Sequence, residues 1–114
     1  ARYAKAMLFQ QQNDLESAKT VYRDLISKDM QFEQAIYNLG YIYFQQDSIN
    51  KAERHFEMAV KVNPAYHDAL YMLGLCEEVK KNNERALYFY KQTINFNDKH
   101  ELALQGIKRL NGSK

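Results

Sequence analysis

Residues 36–64 read IYNLGYIYFQQDSINKAERHFEMAVKVNP, and the rest of the chain is organised around this stretch. Gly40 directly follows Leu39, with the bulky apolar Ile36 three positions before that leucine. Moving on by 34 residues reproduces the arrangement as Leu70, Leu73 and Gly74, and moving back by 34 from Gly40 reaches another small residue, Ala6. The same stride joins Ala18, Ala52 and Ala86, and it joins the aromatics Tyr22, Phe56 and Tyr90. A further column, Asp14, Ser48 and Asn82, shares chemistry rather than identity: all three are residue types that cap helix N-termini, and each opens a run with helical patterning. A period of this length, carried in several registers at once, is the signature of a tandem helical repeat.

Between these signals the expected helices are 2–12 with 15–27, 33–46 with 49–62, and 67–80 with 83–96, followed by a last helix over 100–110. Pro64 and the surroundings of Asn63, Asn97 and Asp98 punctuate the links. Composition agrees. The 114 residues hold one Pro and four Gly, and the remainder is rich in Ala, Leu, Gln, Glu and Lys, so long segments lack helix breakers. A hydrophobic content of 46% is enough to bury a core without disulfides or metals. The small residues have a packing reason. Helix axes cross at about 8–10 Å, so Gly40 and Gly74 make room for large side chains opposite, at a cost of about 1 kcal/mol each in helix propensity.

Ile36, Leu39, Gly40, Tyr43, Ala52, Phe56, Ala59 and Pro64 together resemble the tetratricopeptide repeat at its signature columns, with Ile36 in place of the usual tryptophan. The third repeat keeps Leu70, Leu73, Gly74, Ala86 and Tyr90 but carries Glu77, Thr93 and Asp98 where the family usually has Tyr, Ala and Pro. The first keeps Ala6, Phe9, Ala18 and Tyr22 but has Arg2 and Lys5 where the inner repeats are apolar. In a stacked array a unit with no predecessor faces water, so these two basic residues give the first repeat the character of an end. The resemblance implies an all-α fold, a right-handed α-solenoid of three helix-turn-helix repeats (about 1–32, 33–66 and 67–100) closed by a capping helix over about 100–111. The closing helix is amphipathic, with Leu104, Ile107 and Leu110 on one side and Glu101, Gln105, Lys108 and Arg109 on the other. The whole chain, 1–114, is expected to be a single domain, and the start at Ala1 without an initiator Met suggests a segment of a longer protein.

Sixteen Lys and Arg face fourteen Asp and Glu, a net charge of +2 with the basic residues scattered, which argues against a nucleic-acid or anionic-membrane surface. No apolar run is long enough to insert into a membrane. One cysteine, Cys76, leaves the redox compartment undecided and suits a small core hydrophobe. No enzyme is expected: His55, His67, His100 and Cys76 lack an acid, base or ligand partner at helical spacing, and no phosphate loop or His-Glu-x-x-His motif occurs. Glu77 and Glu78, adjacent and therefore divergent around a helix, read as a solvated face. No metal or cofactor is implied.

The resemblance places the binding surface on the first helix of each repeat, which lines a concave groove in this family. Its columns fall on Tyr3, Met7 and Gln10, then on Gln34, Tyr37, Asn38, Tyr41, Phe44 and Gln45, then on Asp68, Tyr71, Met72, Leu75 and Glu78. With the core already supplied by Ile36, Leu39, Gly40, Tyr43, Leu70, Leu73 and Gly74, helical geometry points Tyr37, Tyr41 and Tyr71 elsewhere, so they are expected to be accessible. The basic clamp that some members use for chaperone tails is not matched, since Tyr3, Met7, Asp68 and Met72 fall where it needs Lys, Asn and Arg. Only Asn38 fits, and it is expected to bond a ligand's main chain, with Gln10 and Gln45. The expected role is a scaffold binding a peptide or helical segment of another protein. The alternative is docking within a larger parent chain, or self-association as a homo-oligomer, through the same apolar surface.

Overall fold

The structure, a computed structural model, describes residues 2–112. Its helices are α1 (Arg2–Gln11), α2 (Leu15–Lys28), α3 (Glu33–Gln45), α4 (Ile49–Val62), α5 (His67–Val79), α6 (Asn83–Phe96) and α7 (Glu101–Gly112), with no strand among the described residues. Every boundary lies within two residues of the sequence expectation.

The turn inside each pair is built by the backbone. Asn13, Asp47 and Lys81 take left-handed φ values of 61°, 65° and 65°. Each N–H bonds the carbonyl three residues back, and the next residue bonds five back (Asp14 to Phe9, 2.8 Å; Ser48 to Tyr43, 2.9 Å; Asn82 to Glu77, 2.9 Å). These paired bonds are the Schellman closure of a helix C-terminus. Asn and Asp tolerate the left-handed region, whereas a lysine there costs about 1–2 kcal/mol. Capping chemistry at the following helix is realised once: Asp14 accepts from the Ser17 N–H at 3.3 Å, while Ser48 and Asn82 hold the N-cap position without a side-chain bond. With the preceding turns already fixed, those two helices start without it.

Close approach operates as the small residues require. A Cβ on Gly40 would lie 3.0 Å from Phe56 Cε1, and one on Gly74 would lie 2.6 Å from Tyr90 Cδ1. A Cβ on Gly106 of α7 would meet the opposite edge of the same ring, 2.7 Å from Tyr90 Cε2, so Tyr90 is gripped between two glycines. The buried set runs continuously along the stack, from Ala6, Ala18 and Tyr22 through Leu39, Ala52 and Phe56 to Leu73 and Cys76, with Ala86 and Tyr90 of α6 packed with Ala103 of α7 at the end. The molecule is elongated, 46 × 25 × 21 Å.

Polar contacts cross between neighbouring repeats at equivalent columns. Lys19 on α2 donates to Gln46 Oε1 at 2.9 Å beside the Tyr43 ring. One repeat further, the roles invert: Lys80 donates to Glu53 on α4, and Glu77, in the Tyr43 column, accepts from Arg85 at 2.9 Å. Glu77 and Glu78 do diverge, but neither forms a solvated face. Glu77 is 3% exposed and lies within this ionic network, and Glu78 receives Arg109 at 2.9 and 2.7 Å. Burial raises the Glu53 carboxyl pKa, against the pull of Lys80. Arg2 pairs with Asp24 at 2.5 Å on the outer surface of the first pair.

Candidate functional site

The first helices α1, α3 and α5 line two adjoining concavities. One, of about 370 Å³, is walled by Met7, Gln10, Gln11, Tyr37, Asn38, Tyr41 and Gln45. The other, of about 420 Å³, is walled by Tyr37, Tyr41, Phe44, Asp68, Tyr71, Met72, Leu75, His100 and Leu102. Tyr37 and Tyr41 belong to both, so the two form one trough along the stack. Of the residues that sequence columns assign to the groove, Tyr3, Gln34 and Glu78 line neither concavity. Met72 contributes only an edge, being 4% exposed and part of the core cluster. Gln11, His100 and Leu102 are additions that those columns did not include.

The tyrosines divide by position. Tyr41 and Met7 are open, 37% and 40% exposed. Tyr3, Tyr37 and Tyr71 are half-buried wedges, which corrects the expectation that this column is free of the core. Each leans on the second-helix aromatic of its own repeat: Tyr3 on Tyr22 (ring centroids 6.1 Å apart), Tyr37 on Phe56 (5.6 Å) and Tyr71 on Tyr90 (5.7 Å). Each also meets a ring from the link that follows: Phe32 (5.1 Å), Tyr66 (5.2 Å) and His100 (5.0 Å). The three triads repeat at the period of the chain. Burial drives the phenols of Tyr37, Tyr66 and Tyr71 above the ordinary value, so they stay neutral.

The polar groups of the trough are partly engaged already. Asn38 Nδ2 donates to the Tyr3 hydroxyl at 2.8 Å, and its Oδ1 has no donor among the described residues. Gln10 Oε1 accepts from Tyr22, whose hydroxyl burial pushes up to about 12. Glu78 accepts from Tyr90 at 2.6 Å, and the Arg109 guanidinium holds its carboxyl below the usual carboxylate range. Gln45 is exposed on the trough wall.

Two groups considered for chemistry behave differently from each other. Cys76 is fully buried and burial pushes its thiol up to about 12, which leaves no thiolate at neutral pH. The histidines correct the sequence expectation. His67, Asp68 and His100 each present one ligand atom, and all three atoms lie within 4.8 Å of one another. The partners come from the start of α5 and from the residue before α7, beyond the three- and four-residue spacings of a single helix.

A family model for the tetratricopeptide repeat matches residues 3–49 and again residues 37–99. The chain belongs to the tetratricopeptide repeat family. Among curated relatives, anaphase-promoting complex subunit 3 of Schizosaccharomyces pombe is 29% identical over 90 residues, covering 79% of this chain and 14% of that protein. The chain thus spans about a seventh of that relative's length. Two solved tetratricopeptide repeat structures share the fold: the first such domain of Spaghetti (RPAP3) bound to an HSP90 peptide (TM-score 0.92, 18% identity, 98% of this chain and 89% of that one) and YrrB, described as having an unusual peptide-binding site (TM-score 0.85, 20% identity, 94% and 55%). Within this tetratricopeptide repeat array, the trough lies along α1, α3 and α5.

Proposed function

We propose that this chain is a protein-interaction scaffold whose trough binds an extended or helical peptide segment of a partner protein. The observation that carries the reading is the shared wall. Because Tyr37 and Tyr41 border both concavities, a ligand lying along the stack meets one surface instead of two separate pits. Met7, Tyr41, Phe44 and Leu75 supply apolar contact, and exposed tyrosine suits such a role because its ring buries while its hydroxyl stays hydrated. Asn38 Oδ1 and the Gln45 amide are placed to bond a ligand's main chain. Two fold neighbours at 18–20% identity, one bound to an HSP90 peptide and one described as having an unusual peptide-binding site, support the reading without specifying a ligand for this chain.

Tyr41→Ala is the informative variant, because Tyr37 and Tyr71 also support the core. Peptides selected from a random display library should shift the NMR resonances of Tyr41, Asn38 and Leu75, and Tyr41→Ala should weaken them by about 2 kcal/mol, roughly thirtyfold. Shifts confined to α2, α4 and α6 would refute a concave-face site. The same variant separates the docking alternative: a change in oligomeric state by light scattering, with no selected peptide on the trough, would favour self-association.

A further inference from the structure

We propose that His67, Asp68 and His100 form a binding site for a first-row divalent cation, Zn²⁺ foremost, at the end of the trough. Two imidazoles and one carboxylate are a donor set suited to this class of ion, and three protein ligands leave a coordination position open. The spacing agrees. Asp68 Oδ1 lies 3.3 Å from His67 Nδ1 and 3.2 Å from His100 Nε2. Ligands about 2.0–2.2 Å from a tetrahedral zinc are separated by about 3.3 Å. His67 and His100 are close at 5.7 Å between ring centroids, and the three ligand atoms converge within 4.8 Å, so closure asks mainly that the two imidazoles tip toward each other.

A second observation points to a ligand. His67 Nδ1 is shielded from water and has no hydrogen-bond partner, because its approach to Asp68 is within ion-pair range but lacks hydrogen-bond geometry. A lone buried ring nitrogen is an unmet acceptor or donor, and a cation in front of it would meet that need. The His100 side chain is nine-tenths buried, held against Tyr71, which limits its rotation. Asp68 and His100 also line the trough, so water or a side chain of a bound segment could take the open position. The site itself stands whether or not the trough holds a peptide.

Metal binding has a definite proton consequence. The Ala103 N–H donates to His100 Nδ1 at 3.2 Å, so in the neutral ring the proton sits on Nε2 and is given to Asp68. A cation on Nε2 displaces that proton, the ring protonates at Nδ1, and the Ala103 amide at the start of α7 loses its acceptor to water.

The test uses the 114-residue chain without a histidine tag, near neutral pH. Co²⁺ should give the visible absorption of a low-coordinate site, saturate at equimolar metal and be displaced by Zn²⁺. His67→Gln and Asp68→Asn, each checked for an unchanged helical circular dichroism spectrum, should each weaken Co²⁺ binding about tenfold or more. Zn²⁺ should shift the Ala103 amide resonance in the unmodified chain, which tests His100 without mutating a residue that caps α7. Three results would overturn the site: no saturable Co²⁺ band, full affinity retained in a folded His67→Gln or Asp68→Asn variant, or an Ala103 amide that Zn²⁺ does not move.

Discussion

At positions 22, 56 and 90 the second helices carry Tyr, Phe and Tyr, and the matching positions 10, 44 and 78 on the first helices carry Gln, Phe and Glu. The agreement is chemical. Tyr22 and Tyr90 donate their hydroxyls to Gln10 and Glu78, whereas Phe56 has no hydroxyl and stands in the repeat whose matching residue is Phe44. A buried hydroxyl without a partner costs about 1–3 kcal/mol, so Phe56→Tyr alone should destabilise by that amount. Adding Phe44→Gln should recover part of the loss, and a double-mutant cycle of urea melts should show coupling of at least about 0.5 kcal/mol. Strict additivity would mean that the new hydroxyl finds water. The same pairing engages Gln10, which lines the trough, and Glu78, which does not: the sequence shows acceptors on the first helix, but only the packing shows that core hydroxyls reach them.

Between elements, the glycines set how closely helices approach, and they do so unequally. Alanine at Gly74 would intrude on the Tyr90 ring, which Gly106 confines from the other side, and should cost about 1–3 kcal/mol. Alanine at Gly40 meets Phe56 Cε1 at 3.0 Å, tight but with no second glycine behind that ring, and gains helix propensity of up to about 1 kcal/mol. Chemical denaturation should therefore rank Gly74→Ala well below Gly40→Ala, and equal stabilities would show that Tyr90 can slide away. The helices themselves were legible because Gly40 and Gly74, the alanine column and the turn residues recur in registers that only one fold satisfies. The site was legible in outline only. Assigning Tyr37 to either core or groove failed because a tyrosine wedge does both, with its body on Phe56 and Tyr66 and one edge in the trough. The supporting column Phe32, Tyr66, His100 was hidden by its change of residue type, though its spacing of 34 was available. The His67, Asp68 and His100 cluster was missed for a related reason: its partners bracket the α5–α6 pair, and a search within one helix cannot find them.

Over the whole molecule, helices pack mainly on their neighbours in sequence along a 46 Å axis, so stability is a sum of local terms and the ends should open most easily. Native-state hydrogen exchange should find the slowest amides in α3, α4 and α5, with α1 and α7 exchanging at lower opening free energy. Uniform protection throughout would show a single global opening instead. The inverted polar contacts add something that neighbour packing alone does not provide. Lys19 is matched to Gln46 and the Tyr43 ring, while Glu53 is matched to Lys80. If the middle unit were duplicated in tandem, Glu53 would lose Lys80 and face Gln46 instead, beside a Tyr43 ring that Lys51 of the same repeat already covers at 5.6 Å. If it were deleted, Lys19 would stand beside Lys80. The repeats share a shape but are not interchangeable, and the order in which they are strung is written into the charges at their seams.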